Sequence, residues 1–88
     1  MALSGMDIVQ VRELAAMVGT KATELDQIAQ QITGKLSSTS WLGPDATQFR
    51  ADWDSIGIPS LKKVAELLRA VQAAATSNAA QQESASAK

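Results

Sequence analysis

Apolar residues recur along the first half of the chain at steps that alternate between three and four positions. Such spacing keeps one face of an α-helix apolar and is typical of helices packed at a shallow angle. Asp7 stands directly before the series, where a carboxylate can accept a hydrogen bond from the first turn of a helix. We therefore predict a helix over about 7–37. The series has no gap and consists of Ile8, Val11, Ala15, Val18, Ala22, Leu25, Ala29, Ile32 and Leu36.

A turn and a second helix are predicted to follow. Residues 37–40 are Ser, Ser, Thr and Ser, which is turn composition. Gly43 then fits a helix cap, Pro44 fits the first helical position, and Asp45 stands where the helix dipole favours an anion. These signals predict a turn over 38–44 and a second helix over about 45–78.

Pro59 interrupts the second helical pattern. A proline inside a helix removes a backbone hydrogen bond and costs about 3 kcal/mol, so it either kinks the helix or splits it. The apolar spacing resumes after Pro59, which favours a single helix with a kink. After residue 78 the sequence is small and polar, and we predict a disordered tail over 79–88.

Two long helices joined by a short turn predict an all-α, antiparallel helix-turn-helix hairpin in a single domain over 1–78. The apolar stripes are wider than one seam between two helices, so one hairpin leaves apolar surface uncovered. Two such hairpins that bury their stripes together form a four-helix bundle, and we expect a dimer of this kind. The residues expected to form the hairpin seam or the dimer seam are Val11, Val18, Leu25, Ile32, Phe49, Trp53, Leu61, Val64, Leu68 and Val71.

Composition argues against several classes of function. The 88 residues include no Cys and no His, which removes disulfides, the usual metal ligands and the commonest general base. The net charge is −1 without a basic stripe, so the electrostatic signature of a nucleic-acid binder is missing. No apolar stretch approaches the length of a membrane span. We expect no enzymatic activity, no metal, no cofactor, no nucleic-acid partner and no membrane span.

The tripeptide Trp41-Leu42-Gly43 lies at the predicted corner of the hairpin. It resembles the signature of the WXG (Trp-X-Gly) family, the early-secreted-antigen-like proteins that type VII secretion systems of actinobacteria and firmicutes export. The resemblance extends over nearly the whole chain, through its length, its two amphipathic helices and its central Trp-X-Gly turn. The run WLGPDATQFRADW and the ending NAAQQESAS look like actinobacterial members.

The resemblance implies a function. It implies a substrate that is exported as a folded dimer, acts as a carrier or chaperone for a partner, and is recognised by the secretion ATPase. Trp41 and Gly43 would be the signature residues of the turn. The N-terminus lacks the features of a conventional signal peptide, so we expect a cytoplasmic protein that is secreted by this other route.

One departure from the family concerns the tail. Members often carry a Tyr-X-X-X-Asp/Glu export motif after the second helix, whereas this chain has no Tyr. Ala79 and Glu83 have the spacing of that motif without the aromatic residue, which implies that a partner chain carries it. The partner is either a second copy or a WXG paralogue.

Two further questions stay open from the sequence. Trp41 either packs against the end of the hairpin or is read by a partner, and an amphipathic Trp can do both. The alternative function is a cytosolic coiled-coil adaptor with no role in export.

Overall fold

The computed structural model describes residues 6–86 and is helical through almost all of them. Helix α1 spans Ile8–Ser38, α2 spans Pro44–Asp52, a π-helical turn spans Trp53–Gly57, and α3 spans Ile58–Ser86. Because α2, the π-helical turn and α3 follow one another without a break, the chain forms two long arms joined at one corner. The molecule measures 66 × 18 × 14 Å, and the predicted all-α hairpin is confirmed.

Helix α1 begins and ends close to the predicted residues. The Asp7 carboxylate accepts a hydrogen bond from the Gln10 backbone N–H at 3.0 Å, which satisfies a donor that the first turn leaves without an intrahelical partner. At the other end the Thr39 backbone N–H donates to the Leu36 carbonyl at 3.3 Å, in an extended residue that ends the helix.

The contact between α1 and α3 is made mainly by alanines. Ala22, Ala65 and Ala79 have no exposed surface, and no side chain larger than valine is buried among residues 6–86. Small side chains let two helices approach closely, but each buries little apolar area. The buried residues are Ala15, Val18 and Ala22 on α1, Ala46 on α2, and Ala65 and Ala79 on α3; Val11, Leu25, Leu61 and Leu68 are half-buried beside them.

Four residues of the predicted seam lie outside the contact within the hairpin. Val64 and Val71 are 46% and 38% exposed, Ile32 is 36% exposed and Phe49 is 44% exposed. On α3 the seam runs through Ala65 and Gln72 instead, and each predicted valine precedes one of these positions by a single residue, or about 100° of helical rotation. Val64 and Val71 therefore do not face α1, and of the two seams predicted for them only the dimer seam stays open.

Two ion pairs join α1 to α3 along one flank of the seam. Both terminal guanidinium nitrogens of Arg12 donate to the Glu83 carboxylate at 3.0 Å, and Arg69 donates to Asp26 at 2.6 Å. Arg12 and Asp26 are as many residues apart on α1 as Arg69 and Glu83 are on α3. Both pairs therefore fit the same antiparallel register. Exposed pairs add little stability, and their role is to select this register.

Glu83 is sensitive to this pairing. The hydrogen bonds from Arg12, followed by its positive charge, hold the pKa of Glu83 below its ordinary value. A lowered pKa in the folded state stabilises the fold above the unfolded pKa, and this contribution is lost as the pH falls through the folded value.

The expected disordered tail is wrong for residues 79–86, because α3 continues to Ser86; residues 87 and 88 lie outside the described part. Alanine has the highest helix propensity, and this segment is rich in it. Ala79 is fully buried and Glu83 pairs with Arg12, so the tail also has contacts that hold it to α1. The small side chains of this segment suit the contact with α1, because a seam built from alanines has no room for larger ones.

Pro59 lies just after the π-helical turn, within a continuous helical arm. The Ile58 backbone N–H donates to the Trp53 carbonyl, five residues back, so the turn is one residue wider than an α-helical turn. This wide turn is where the second arm departs from α-helical geometry, and Pro59 follows it in the first turn of α3, where a missing N–H is tolerated. The arm is therefore not split into two separate helices.

Gly57 allows the Trp53 ring to lie across the π-helical turn. A Cβ added at Gly57 would overlap the six-membered part of the Trp53 indole, whereas a Cβ at Gly34 would meet nothing within 4 Å. We predict that Gly57→Ala lowers the free energy of unfolding by about 1–3 kcal/mol through overpacking, and that Gly34→Ala raises it by about 0.5–1 kcal/mol through helix propensity.

Urea unfolding of the two variants and the unchanged chain measures both effects. Because the same substitution is expected to change the stability in opposite directions at the two positions, the pair is a matched control. If Gly57→Ala is as stabilising as Gly34→Ala, the Trp53 ring does not lie across Gly57.

Candidate recognition corner and apolar face

Arg50 on α2 holds the loop that joins the two arms. Its guanidinium donates to the Trp41 carbonyl at 2.8 Å, to the Thr39 carbonyl at 3.1 Å and to the Leu36 carbonyl at 3.4 Å. Leu36 belongs to the last turn of α1, whose carbonyls lack intrahelical donors and carry partial negative charge. One half-buried cation therefore satisfies the end of α1 and fixes the loop on α2.

Trp41 lies at this corner with its ring on α2. Its ring centroid is 5.9 Å from that of Phe49, at an angle of 46°, and 6.0 Å from the Arg50 guanidinium carbon. These are the distances of an aromatic pair and of the outer limit of a cation–π contact. Trp41 is nevertheless 40% exposed and Leu42 is 90% exposed. The corner therefore presents a fixed apolar surface to solvent, which we call the corner patch: Trp41, Leu42 and Phe49.

Gly43 has the backbone conformation that the turn requires. Its φ of 113° lies in the region that side-chain-bearing residues rarely adopt, and its carbonyl accepts from the Thr47 backbone N–H at 3.1 Å. Pro44 occupies the first turn of α2, as predicted. Both residues serve to start α2 directly after the exposed Leu42.

Trp53 connects the corner to α1. Its indole N–H donates to the Thr33 hydroxyl at 3.0 Å, and its ring lies on Gly57. It is half-buried, so it bridges the arms at the edge of the seam and is not enclosed within a core. Beside it lies a small open cleft lined by Thr33, Leu36, Ser37, Arg50, Trp53 and Asp54.

A second exposed apolar surface runs along both long helices. It comprises four residues of α1 and three of α3, each between 36% and 61% exposed. We call it the apolar face: Leu14, Met17, Ile28, Ile32, Val64, Leu67 and Val71.

Helical geometry places these residues on one side of the hairpin. At about 100° per residue, Ile28 lies roughly 120° from Ala22 in one rotational sense, and Val64 lies roughly 100° from Ala65 in the same sense. Because the helices run antiparallel, equal senses of rotation lead to the same side of the seam. Asp26 and Arg69 are rotated in the opposite sense and pair on the other flank. The hairpin thus has one flank where ion pairs join the two arms, and one flank that carries the exposed apolar side chains together with the Lys21–Glu24 pair within α1.

The exposed area of the chain exceeds that of a compact protein of its mass. The accessible surface is 6345 Å², whereas a compact monomer of 9.2 kDa exposes about 4,900 Å². The difference, about 1,400 Å², is larger than the ~800 Å² that each partner covers in a standard protein interface. The hairpin therefore has enough surplus surface for a stable interface.

The predicted site residues fall into three groups. Trp41, Gly43 and Phe49 meet at the corner, while Ile32, Val64 and Val71 belong to the apolar face. The remaining predicted seam residues, Val11, Val18, Leu25, Trp53, Leu61 and Leu68, lie between the arms. Arg50 was not identified from the sequence. Its sequence signal is weak, namely a basic residue near the C-terminal end of a short helix that follows the turn.

Among residues 6–86, no three acidic side chains come close enough together to hold a metal ion. Within the same range, no helix combines the length and the apolar character needed to cross a bilayer.

No protein-family model, curated protein or solved structure matches the chain. The resemblance to the WXG family therefore rests on the residues of the turn and on the helical pattern alone.

Arg50 offers a test of how the corner is held. We predict that Arg50→Lys lowers the free energy of unfolding by about 1–2 kcal/mol, because an ammonium cannot reproduce the planar fork that reaches three carbonyls. Arg69→Lys is the matched control, since its exposed single ion pair needs only a positive charge, and it should change stability by less than about 0.5 kcal/mol. Chemical unfolding measures both, and equal losses would show that Arg50 has no special role.

Proposed function

We propose that this chain is a non-enzymatic interaction protein that pairs through its apolar face with a second helical hairpin to form a four-helix bundle. The observation that carries the proposal is the exposure of large apolar side chains along both arms. An apolar stripe of this length on a soluble helical hairpin marks an interaction surface. The small alanine seam adds weight, because a hairpin with so little buried area gains much from a partner that covers its open side.

We further propose that the paired hairpin is a substrate of a type VII secretion system, and that it carries or chaperones its partner. This step rests on the resemblance of Trp41-Leu42-Gly43 to the WXG signature. The exposure of Trp41 and Leu42 supports it, because a residue read by a secretion ATPase has to be accessible. Fixation of Trp41 by Phe49 and Arg50 supports it too, since a pre-organised side chain loses less entropy when it is bound.

The corner patch separates export from assembly in an experiment. Trp41→Ala removes an exposed side chain at the end of the hairpin, so its stability cost should stay below the ~3–5 kcal/mol of a buried tryptophan. We predict that this variant still pairs but is no longer found in the culture supernatant. Leu42→Ala is the matched control, because it removes a more exposed apolar side chain at the variable position of the signature, and it should be exported.

The readouts are the mass of the native complex, the melting temperature and the amount of protein in supernatants of cells with and without an active secretion ATPase. Trp53→Ala should lose more stability than Trp41→Ala, since Trp53 bridges the two arms. Normal export of Trp41→Ala, or export that is independent of the ATPase, contradicts the secretion proposal. A chain that pairs but never leaves the cell supports the alternative, a cytosolic coiled-coil adaptor.

A further inference from the structure

We infer that the partner hairpin is a second copy of this chain, related by a two-fold axis that lies in the interface, perpendicular to the helices, and passes the apolar side of α1 at the level of Ala22 and Thr23. The inference rests on the proposed pairing through the apolar face and identifies the occupant of that face. An interface between two copies related by such an axis must be self-complementary. If a residue before the axis contacts a residue after it in the other chain, the reverse contact is made as well.

The apolar side of α1 is nearly palindromic about this point. Met17 and Ile28 lie at equal distances before and after it, about 8 Å at 1.5 Å per residue. Leu14 and Ile32 lie further out at similar distances. Antiparallel packing of two α1 helices would therefore bring Met17 of one copy to Ile28 of the other, and Leu14 of one copy close to Ile32 of the other.

Two opposite charges occupy the centre of the palindrome. Lys21 and Glu24 lie on the same side of α1 as Met17 and Ile28 by helical rotation, and they pair within the chain at 3.0 Å with side chains 57% and 47% exposed. The two-fold axis brings Lys21 of each copy beside Glu24 of the other copy, so the interface contains two such contacts. Parallel packing would oppose Lys21 to Lys21, so the charges select the antiparallel arrangement.

The exposed apolar residues of α3 are centred at a similar level. Val64 and Val71 lie symmetrically about a point between Leu67 and Leu68. The end of the Gln72 side chain reaches Gly19, and Arg69 pairs with Asp26, so residues 22 and 23 of α1 lie level with α3 residues between about 68 and 73. The centre of the α3 stripe therefore lies about one to five residues along the helix from the level of this axis. Helix α1 then packs on α1 and α3 on α3, with the corner of each copy beside the chain ends of the other.

The absence of cysteine from the chain makes site-directed cross-linking a direct test. Chains carrying Met17→Cys and Ile28→Cys are mixed in equal amounts and oxidised. The mixture should give a covalent dimer, because the two positions face each other. Each variant alone should give at least tenfold less, because equal positions lie about 16 Å apart along the axis, beyond the ~7 Å Cα separation that a disulfide spans. Ala16→Cys mixed with Gln30→Cys, on the opposite flank at similar distances from the axis, is the matched control and should not cross-link.

Charge reversal gives a second, independent readout. Lys21→Glu and Glu24→Lys should each weaken the dimer by about tenfold, since two unlike contacts become like-charged. An equal mixture of the two variants should recover the affinity, because only contacts between the chains become attractive again while the pair within each chain stays repulsive. Circular dichroism of each variant checks that the helices are intact.

The outcomes separate this inference from the proposed function. A dimer by light scattering that shows neither the 17–28 cross-link nor recovery on mixing overturns the axis and leaves pairing through the apolar face standing. A pure chain that is helical and monomeric at high concentration overturns self-pairing, and if it then pairs with a different hairpin, the proposed function holds. A monomer that pairs with no other chain contradicts both.

Discussion

The close antiparallel contact between α1 and α3 through alanine side chains is the interaction on which the rest of the structure depends. Ala22, Ala65 and Ala79 are fully buried, and a larger side chain at any of them would force the arms apart. This contact holds the helices near enough for ion pairs on one flank and directs the larger apolar side chains to the other. The same contact that makes the hairpin possible also leaves it with little buried apolar area and an exposed apolar face.

The corner is held by different interactions from those of the seam. Arg50 binds three carbonyls of the loop and of α1, while Trp53 bridges to Thr33 through its indole N–H. Both residues lie on the second arm within one turn of each other, so a short stretch of sequence fixes the return of the chain. Trp41 therefore does not have to fill a core. Its ring packs on Phe49 and Arg50 but stays partly exposed, so a partner can reach it. The two tryptophans thus serve different ends, structure for Trp53 and a surface for Trp41.

The helices, the turn and the caps could be predicted from the sequence because local chemistry determines them: Asp7, Gly43 and Pro44 act within a few residues of their positions. The division of the second arm between the hairpin seam and a dimer seam could not. Apolar spacing does not decide between the two for Val64 and Val71, whereas close packing of the arms places Ala65 and Gln72 toward α1. The helical tail could not be predicted either, because a small side chain such as Ala79 is buried only where the other helix comes very close. Arg50 acts over nine to fourteen residues, beyond the reach of any local motif.

The central claim is that the exposed apolar face is covered by a second copy and that the hairpin depends on this for much of its stability. The dependence of the melting temperature on chain concentration tests it most directly, because association with a partner stabilises only the folded state and does so by mass action. The account predicts that the melting temperature of the pure chain rises steadily over a hundredfold increase in concentration, with helicity and dimer mass lost together. A cooperative transition at a high temperature that does not move with concentration would contradict it.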